Sequence, residues 1–356
     1  MIFSSDSCSD NDDSSLTSSS CLSDTDDEID LTNWTVTPMA NRDPFQFITN
    51  REIRVNGAQT PIEFWKHIFH GNLVQLIVFE TNRYAEGICN SSNVLQQHSR
   101  INKWEPTDVE KLQLEMYFTT DELLATPIFN KIMTAGRFQI LLKMLHFETN
   151  QDVNNKLKKI SPVVEALRPS FKRLYKPRRF LNVDESLHLY KGRLSWKQYI
   201  PLKRARFGFK FFMLCDVNGY ILNCIIYTGS DTNYSEKFSD LSLSSRIVMT
   251  LVEDYLDLGR CIVMDNYYSS LELFLNLVKR KTDAVGTVRS NRKSLPPDFR
   301  NSRLQKNERI ARYYKKLMAL KWLDKKYVHI LSTYHENTTT IIQKRQTQDE
   351  KPICMH

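Results

Sequence analysis

The sequence predicts an α/β protein: a mixed sheet covered by helices, preceded by a helical region. Three observations carry this reading. Between Thr60 and Phe147 apolar residues recur at helical spacing. From Phe180 to Asn266 the pattern changes to short apolar runs in the order strand, loop, strand, turn, strand, helix, strand. Within that stretch two isolated acids, Asp184 and Asp265, stand at the ends of two predicted strands.

Taken in order, residues 1–32 hold nine acids and no Lys or Arg, with abundant Ser and few apolar residues. Such a segment buries too little apolar surface to offset the entropy of ordering, so it is expected to be a disordered acidic tail. Ser23, followed by Asp24, Asp26, Asp27 and Glu28, is a weak match to an acidophilic kinase site. Two roles stay open for the tail: passive solubilisation, or masking of a basic body. The whole chain of 356 residues carries +8, and setting the nine acids aside leaves +17 on the remainder. That balance suits a polyanion, nucleic acid first, although a merely basic soluble surface fits the charge as well.

Residues 33–178 form the predicted helical domain. Thr60-Pro61-Ile62-Glu63 opens it with a cap, a proline at the first helical position and a capping-box glutamate. Phe64, Trp65, Ile68, Phe69, Leu73, Leu76 and Ile77 make an apolar stripe, read as core. Further helices are expected over 107–118, from 121 through 124, over 127–134 and over 137–147. His146, beside Leu145 and Phe147, reads as a packed residue and not as a metal ligand. Lys172, Arg173, Lys176, Arg178 and Arg179 make a basic linker into the next domain.

Residues 179–289 form the predicted sheet domain. Apolar runs 207–216 and 220–227 meet at Asn218-Gly219, a strong hairpin signal. Ser242 to Tyr255 reads as a helix crossing back to a buried strand, Cys261 to Met264. This is the order of an RNase H-like core, whose first and fourth strands lie side by side and can bring two carboxylates to one site. Oxygen ligands of that kind suit hard divalent cations. Asp216 and Glu185 lie nearby in sequence, but Asp216 closes another strand and Glu185 points to the opposite face from Asp184 in a regular pleat.

Lys197, Lys203, Arg204, Arg206 and Lys210 surround the loop between the first two strands, beside Trp196 and Tyr199. Lys and Arg neutralise phosphates and aromatics stack on unpaired bases, so the cluster is read as a DNA-binding surface, with a solvated charged loop as the alternative. Residues 290–326 are basic with few periodic features, and Arg289, Arg292 and Lys293 at their start extend the candidate DNA surface. Tyr327 to Thr333 reads as a return strand within the last segment, 327–356. Seven cysteines without a Cys-x-x-Cys pair argue against disulfides or zinc. No apolar run approaches the roughly 18 residues of a membrane span, and a soluble intracellular protein is expected.

Asp184-Glu185-Ser186, Lys191-Gly192-Arg193, Tyr199-Ile200-Pro201-Leu202-Lys203, Asp265-Asn266-Tyr267-Tyr268-Ser269-Ser270 and Val285 to Arg292 resemble, in order, the motifs of the piggyBac family of DNA transposases. The similarity extends upstream through Glu80 to Ala85 and Leu145-His146-Phe147. It implies an RNase H-like catalytic core, a helical dimerisation and DNA-binding domain around it, and an insertion domain at 290–326. It further implies double-stranded DNA as partner, a homodimer, a nuclear location, Mg²⁺ (or Mn²⁺) as cofactor, and no membrane or small-molecule partner.

By the same resemblance Asp184 and Asp265 are two of three catalytic, metal-holding aspartates. The third, in a Gly-Gly-Val-Asp motif, does not occur in these 356 residues, and Lys351 to His356 resembles the sequence just before it. The segment between Glu115 and Pro127 is also shorter than the family pattern. The expectation is a C-terminally truncated, DNA-binding relative without catalytic activity in this form; the alternative is an active cut-and-paste transposase.

Deleting residues 1–32 is expected to leave the thermal midpoint within about a degree or two, since the segment has no apolar face to pack. A larger drop in a calorimetric scan would show that the tail packs on the basic body.

Overall fold

The computed structural model describes residues 34–55, 57–90, 101, 104–107, 131, 133–148, 155–201, 206–292, 295–343 and 348–353. The acidic tail and the helices expected over 107–118, 121–124 and 127–134 lie essentially outside the described residues.

The helical part begins with α1 (Pro61–Ile68), where the Thr60 side chain accepts from the Glu63 N–H and Glu63 returns the bond to the Thr60 N–H, completing the expected capping box. The apolar stripe does not continue as one helix. Phe69 closes α1 by donating to the Trp65 carbonyl, and His70 then starts α2 (Gly71–Asn90) by accepting from Leu73. This break changes which residues are core. None of α1 is buried and Phe64 is 44% exposed, whereas Leu73 and Ile77 of α2 are buried. Helix α2 packs on α3 (Ala135–Met144) through Ala85 and Met144, and His146 stacks on Tyr84 with ring centroids 3.7 Å apart. Helix α4 (Ser161–Leu174) then leads into the sheet.

Two short strands, β1 (Glu52–Ile53) and β2 (Tyr175–Lys176), pair with each other. The main sheet is built from β3 (Phe180–Leu189), β4 (Gln198–Tyr199), β5 (Phe207–Asp216), β6 (Ile221–Ile226), β7 (Cys261–Met264), β8 (Asp283–Thr287), β9 (Arg309–Tyr314), β10 (Leu317–Leu323) and β11 (Tyr327–Ser332). Its order among the described residues is β4-β5-β3-β7-β8-β11-β10-β9, with β6 also on β5. Strands β3, β7 and β8 run parallel, and the other pairings are antiparallel. Within it β6-β5-β3-β7-β8 has the expected RNase H-like order. The β5–β6 hairpin turns at Gly219, whose φ of 82° is a left-handed conformation that glycine adopts without strain.

Residues 309–323, where the sequence shows little periodicity, form β9 and β10 and extend the sheet. The run Leu317-Met318-Ala319-Leu320 has no alternation because both of its faces are buried: Leu317 and Ala319 join the core under the helices, Met318 and Leu320 a second cluster on the opposite face.

Helices α5 (Leu243–Val252) and α6 (Leu271–Lys279) cover one face, packing Val248, Leu251 and Phe274 against Leu181, Phe212 and Ile262. A smaller helix, α7 (Pro297–Asn301), and a separate hairpin of β12 (Thr339–Gln343) and β13 (Gln348–Pro352) complete the described fold. The extended segment 34–49 runs from the outer edge of β9 along the end of the sheet at which β3, β7 and β8 begin. Thr35 exchanges backbone hydrogen bonds with Tyr313, and the Arg42 guanidinium donates to the carbonyls of Lys316, Ser332 and His335. Asp283 is completely buried at the start of β8, where it accepts from Lys316 Nζ at 2.6 Å, Thr333 Oγ1 at 3.1 Å and the Phe45 N–H at 2.8 Å.

Removing one member of a buried ion pair leaves the other charge stranded, typically at about 3–5 kcal/mol. Asp283→Ala is therefore expected to lower unfolding free energy in urea by about that much, with partial recovery when Lys316→Met is added. Equal stability of parent and Asp283→Ala would remove the network from any role in holding the sheet to its N-terminal segment.

Candidate active site

Two parallel strands bring the acids together. Val183 pairs with Met264, so the next residue of each strand, Asp184 and Asp265, are neighbours where β7 stops. Asp265 follows a strand end, as expected. Asp184 does not: β3 runs on to Leu189 because β5 pairs with it throughout, down to Leu189 opposite Gly208. Since β7 has only four residues, the middle of the long strand β3 is laid open beside Asp265.

Both carboxylates reach solvent, and each is held by local backbone. The Glu185 N–H donates to Asp184 Oδ1 at 2.7 Å, and the Tyr267 N–H donates to Asp265 Oδ1 at 3.0 Å. Desolvation by surrounding protein pushes the Asp265 carboxyl above the ordinary aspartate range; the charges of Glu185 and Asp184 push the same way and the Tyr267 N–H works against them. Glu185 lies opposite Phe212, on the other side of the pleat from Asp184, yet its charge acts on Asp265 more strongly than that of Asp184 does. Beneath them Tyr268 is fully buried, its hydroxyl kept protonated by desolvation and by the same three acids. Sequence reasoning missed this electrostatic reach because pleat alternation describes direction and not distance from the loop after β7.

Three of the expected DNA-binding cations converge on the loop that follows Asp265. Lys210 Nζ lies 5.4 Å from the Tyr267 ring centroid, Arg289 Nε donates to Asn266 Oδ1 at 3.3 Å, and Arg292 Nη2 donates to the Tyr267 carbonyl at 3.2 Å. Lys197 stands apart, donating to the Gly192 carbonyl at 3.1 Å, and Arg206 is exposed nearby. Lys203, Arg204 and Lys293 lie outside the described residues. An open cavity of about 1440 Å³ adjoins Asn266 and Arg289 and is also lined by Arg303 and His329.

Other residues considered from the sequence have structural work. Asp216 is buried, accepts from the Tyr175 hydroxyl and organises the turn into β6. In the basic linker Lys172 pairs with Asp254, Arg173 donates to the His67 carbonyl and Arg179 to that of Phe45. Among the described residues Cys89, Cys215, Cys224 and Cys261 are free.

A parallel pair of central strands that brings two carboxylates together where β7 ends, in a sheet of this order, is the arrangement of an RNase H-like core. Residues 60–353 match the family described as Transposase IS4, and the chain belongs to that family, in its piggyBac type. It is similar to the human piggyBac transposable element-derived protein 3 (25% identical over 329 residues, 84% of this chain and 51% of that protein). It is also similar to the human piggyBac transposable element-derived protein 2 (23% over 286 residues, 77% and 48%). The chain thus spans about half the length of these relatives. In three dimensions it matches the piggyBac transposase solved by cryo-electron microscopy as a synaptic complex with hairpin DNA, with a TM-score of 0.70 at 23% identity, covering 81% of this chain and 64% of that one.

Transposases of this family generally use divalent metal ions. Asp184 and Asp265 are an oxygen-donor pair of the right chemistry, while among the described residues no three His, Cys, Asp or Glu are grouped to hold an ion.

Because the folded chain binds the Asp265 proton more tightly than the unfolded chain does, stability falls as pH rises from the ordinary value of 3.8 through the raised one. Asp265→Asn removes this penalty and keeps an acceptor for Tyr267. Its thermal midpoint is expected to exceed that of the parent by about a degree or two at pH 7, the gap closing as pH falls toward 3.8. A midpoint below the parent's at neutral pH would contradict the electrostatic account.

Proposed function

We propose that this chain is a transposase-derived DNA-binding protein, and that residues 1–356 by themselves neither cleave nor join strands. The observation that carries the binding half is the convergence of Lys210, Arg289 and Arg292 on the loop directly after Asp265. Cations placed there lead a phosphate backbone past the two carboxylates. The excess charge of the chain outside its first 32 residues adds a sequence-independent attraction. The structural neighbour was solved with hairpin DNA bound, which agrees with this reading. A homodimer and a nuclear location belong to the same proposal.

For catalysis, Asp184 and Asp265 would hold a divalent ion, which when bound polarises a phosphoryl oxygen and activates an attacking one. In two-ion phosphodiester chemistry the attacking and leaving oxygens are each stabilised, and two carboxylates offer ligands for one ion more readily than for two. Losing even an outer partner of a metal typically costs about 10- to 100-fold, and a missing direct ligand more. The second reading, an active cut-and-paste transposase, is favoured by the adjacency of the two acids and requires a further carboxylate at the pair.

Affinity for a short duplex is expected to fall steeply between about 50 and 200 mM salt, and Lys203→Glu, Arg204→Glu and Arg206→Glu together are expected to reduce the log–log slope by about 0.9 for each phosphate no longer neutralised. Salt-insensitive affinity would sink the DNA reading. Incubation of a duplex bearing a transposon end with Mg²⁺ or Mn²⁺ is expected to give no nicking. Nicking that disappears in Asp184→Ala, Asp265→Ala would establish the active reading instead.

A further inference from the structure

The arm that β3 and β5 form beyond the carboxylates carries a feature that duplex binding does not use. Tyr199 of β4 pairs with Phe207 of β5, and their rings stack with centroids 4.6 Å apart and planes 29° from parallel. Both rings face water: Tyr199 is 56% exposed and Phe207 47%. Behind them the arm is held firm by buried Trp196, 5.6 Å from Phe209, and by Tyr190 at 5.1 Å from the same ring. The exposed pair is thus the outer layer of an ordered aromatic cluster.

Its charge surroundings are one-sided. Between Ser186 and Cys215 the sequence has seven Lys or Arg and no Asp or Glu. Lys191, Arg193 and Arg206 are exposed on the same arm, and Lys197 Nζ lies 5.6 Å from the Phe207 ring centroid. A hydrophobic protein surface has no need of this halo, whereas a ligand with flat apolar faces strung on a phosphate chain needs both. Side chains that sit opposite each other in an antiparallel pair share a face. The register runs from Asp184 opposite Met213, through Ser186 opposite Phe211 and His188 opposite Phe209, to Tyr190, whose N–H bonds to the Phe207 carbonyl. The aromatic pair therefore lies on the same face as Asp184, roughly 20 Å along the strand at about 3.3 Å per residue.

We propose that Tyr199 and Phe207 form a stacking platform for an unpaired base of DNA whose duplex portion lies across the carboxylates. The proposal rests on the DNA-binding reading above and adds a preference for substrates with a single-stranded segment. Stacking on an aromatic platform is sequence-tolerant and contributes about 1–3 kcal/mol per base, a factor of roughly 5 to 150 in affinity.

The experiment compares a blunt duplex with the same duplex carrying a single-stranded 3′ or 5′ extension that contains 2-aminopurine, using the full chain at about 150 mM salt. The parent is expected to bind one of the extended duplexes at least about 5-fold more tightly and to quench its 2-aminopurine fluorescence. Tyr199→Ala with Phe207→Ala is expected to lose both the preference and the quenching while binding blunt duplex like the parent. Tyr199→Phe, which keeps the ring and tests folding of the arm, is expected to retain them. Equal affinity for blunt and extended duplexes, with blunt binding intact, overturns the platform and leaves the DNA-binding reading standing; loss of all duplex binding by the parent overturns both. Self-association of the parent in sedimentation that is abolished by the double alanine variant would assign the patch to a second copy of the chain and overturn the platform.

Discussion

The parallel pairing of β3 with β7 is the constraint on which the rest of the structure depends. A parallel neighbour cannot be reached by a tight turn, so the chain must leave β3, complete the β5–β6 hairpin and return through α5 before β7 can form. That detour supplies the helix that buries Leu181, Val183 and Ile262. It also fixes one register, Val183 beside Met264, which makes neighbours of two acids far apart in sequence. A slip of one residue would turn Leu181 and Val183 out of the core, so the burial of these side chains holds the carboxylates in place.

The site owes its asymmetry to unequal strand lengths. β3 has ten residues and β7 four, so Asp184 is presented from the middle of a continuous strand while Asp265 sits on a loop. One acid is therefore rigidly placed and the other is steered by what touches its loop: the Tyr267 N–H, Arg289 through Asn266, and Arg292 through the Tyr267 carbonyl. Negative charge from Glu185 and Asp184 opposes ionisation of Asp265, and a bound cation would relieve that opposition.

Much of this was legible in the sequence because it is written locally. The Thr60 capping box, the turn at Gly219, the helix after Ser242 and the buried Cys261 to Met264 run each carry their own signals, and the structure has all four. What was not legible is set by distant partners. The stripe from Phe64 to Ile77 has a helical period throughout, and only the turn at Phe69 and His70 separates an exposed helix from a buried one. Residues 317–320 lack alternation because two clusters claim their opposite faces. Asp184 looked like a strand end because an acid commonly interrupts an apolar run, whereas its exposure comes from the brevity of β7. The segment 34–49 has no period at all, and its hold on the sheet consists of hydrogen bonds to residues more than 130 positions away, most of them more than 200.

The same segment bears on how the protein comes into being. Arg42 is among the first of the described residues to be synthesised, but its acceptors are the carbonyls of Lys316, Ser332 and His335, 274 to 293 residues later. At ribosomal rates of about 5–20 residues per second, some 15–60 s pass before they exist. Arg179, which donates to the Phe45 carbonyl, and Gly259, where a side chain would strike the Gln46 carbonyl, are intermediate points at which parts of the segment can be seated earlier. The nascent chain must therefore carry Arg42 unfastened until the last strands of the sheet have been made, and one of the earliest of the described residues is among the last to be locked.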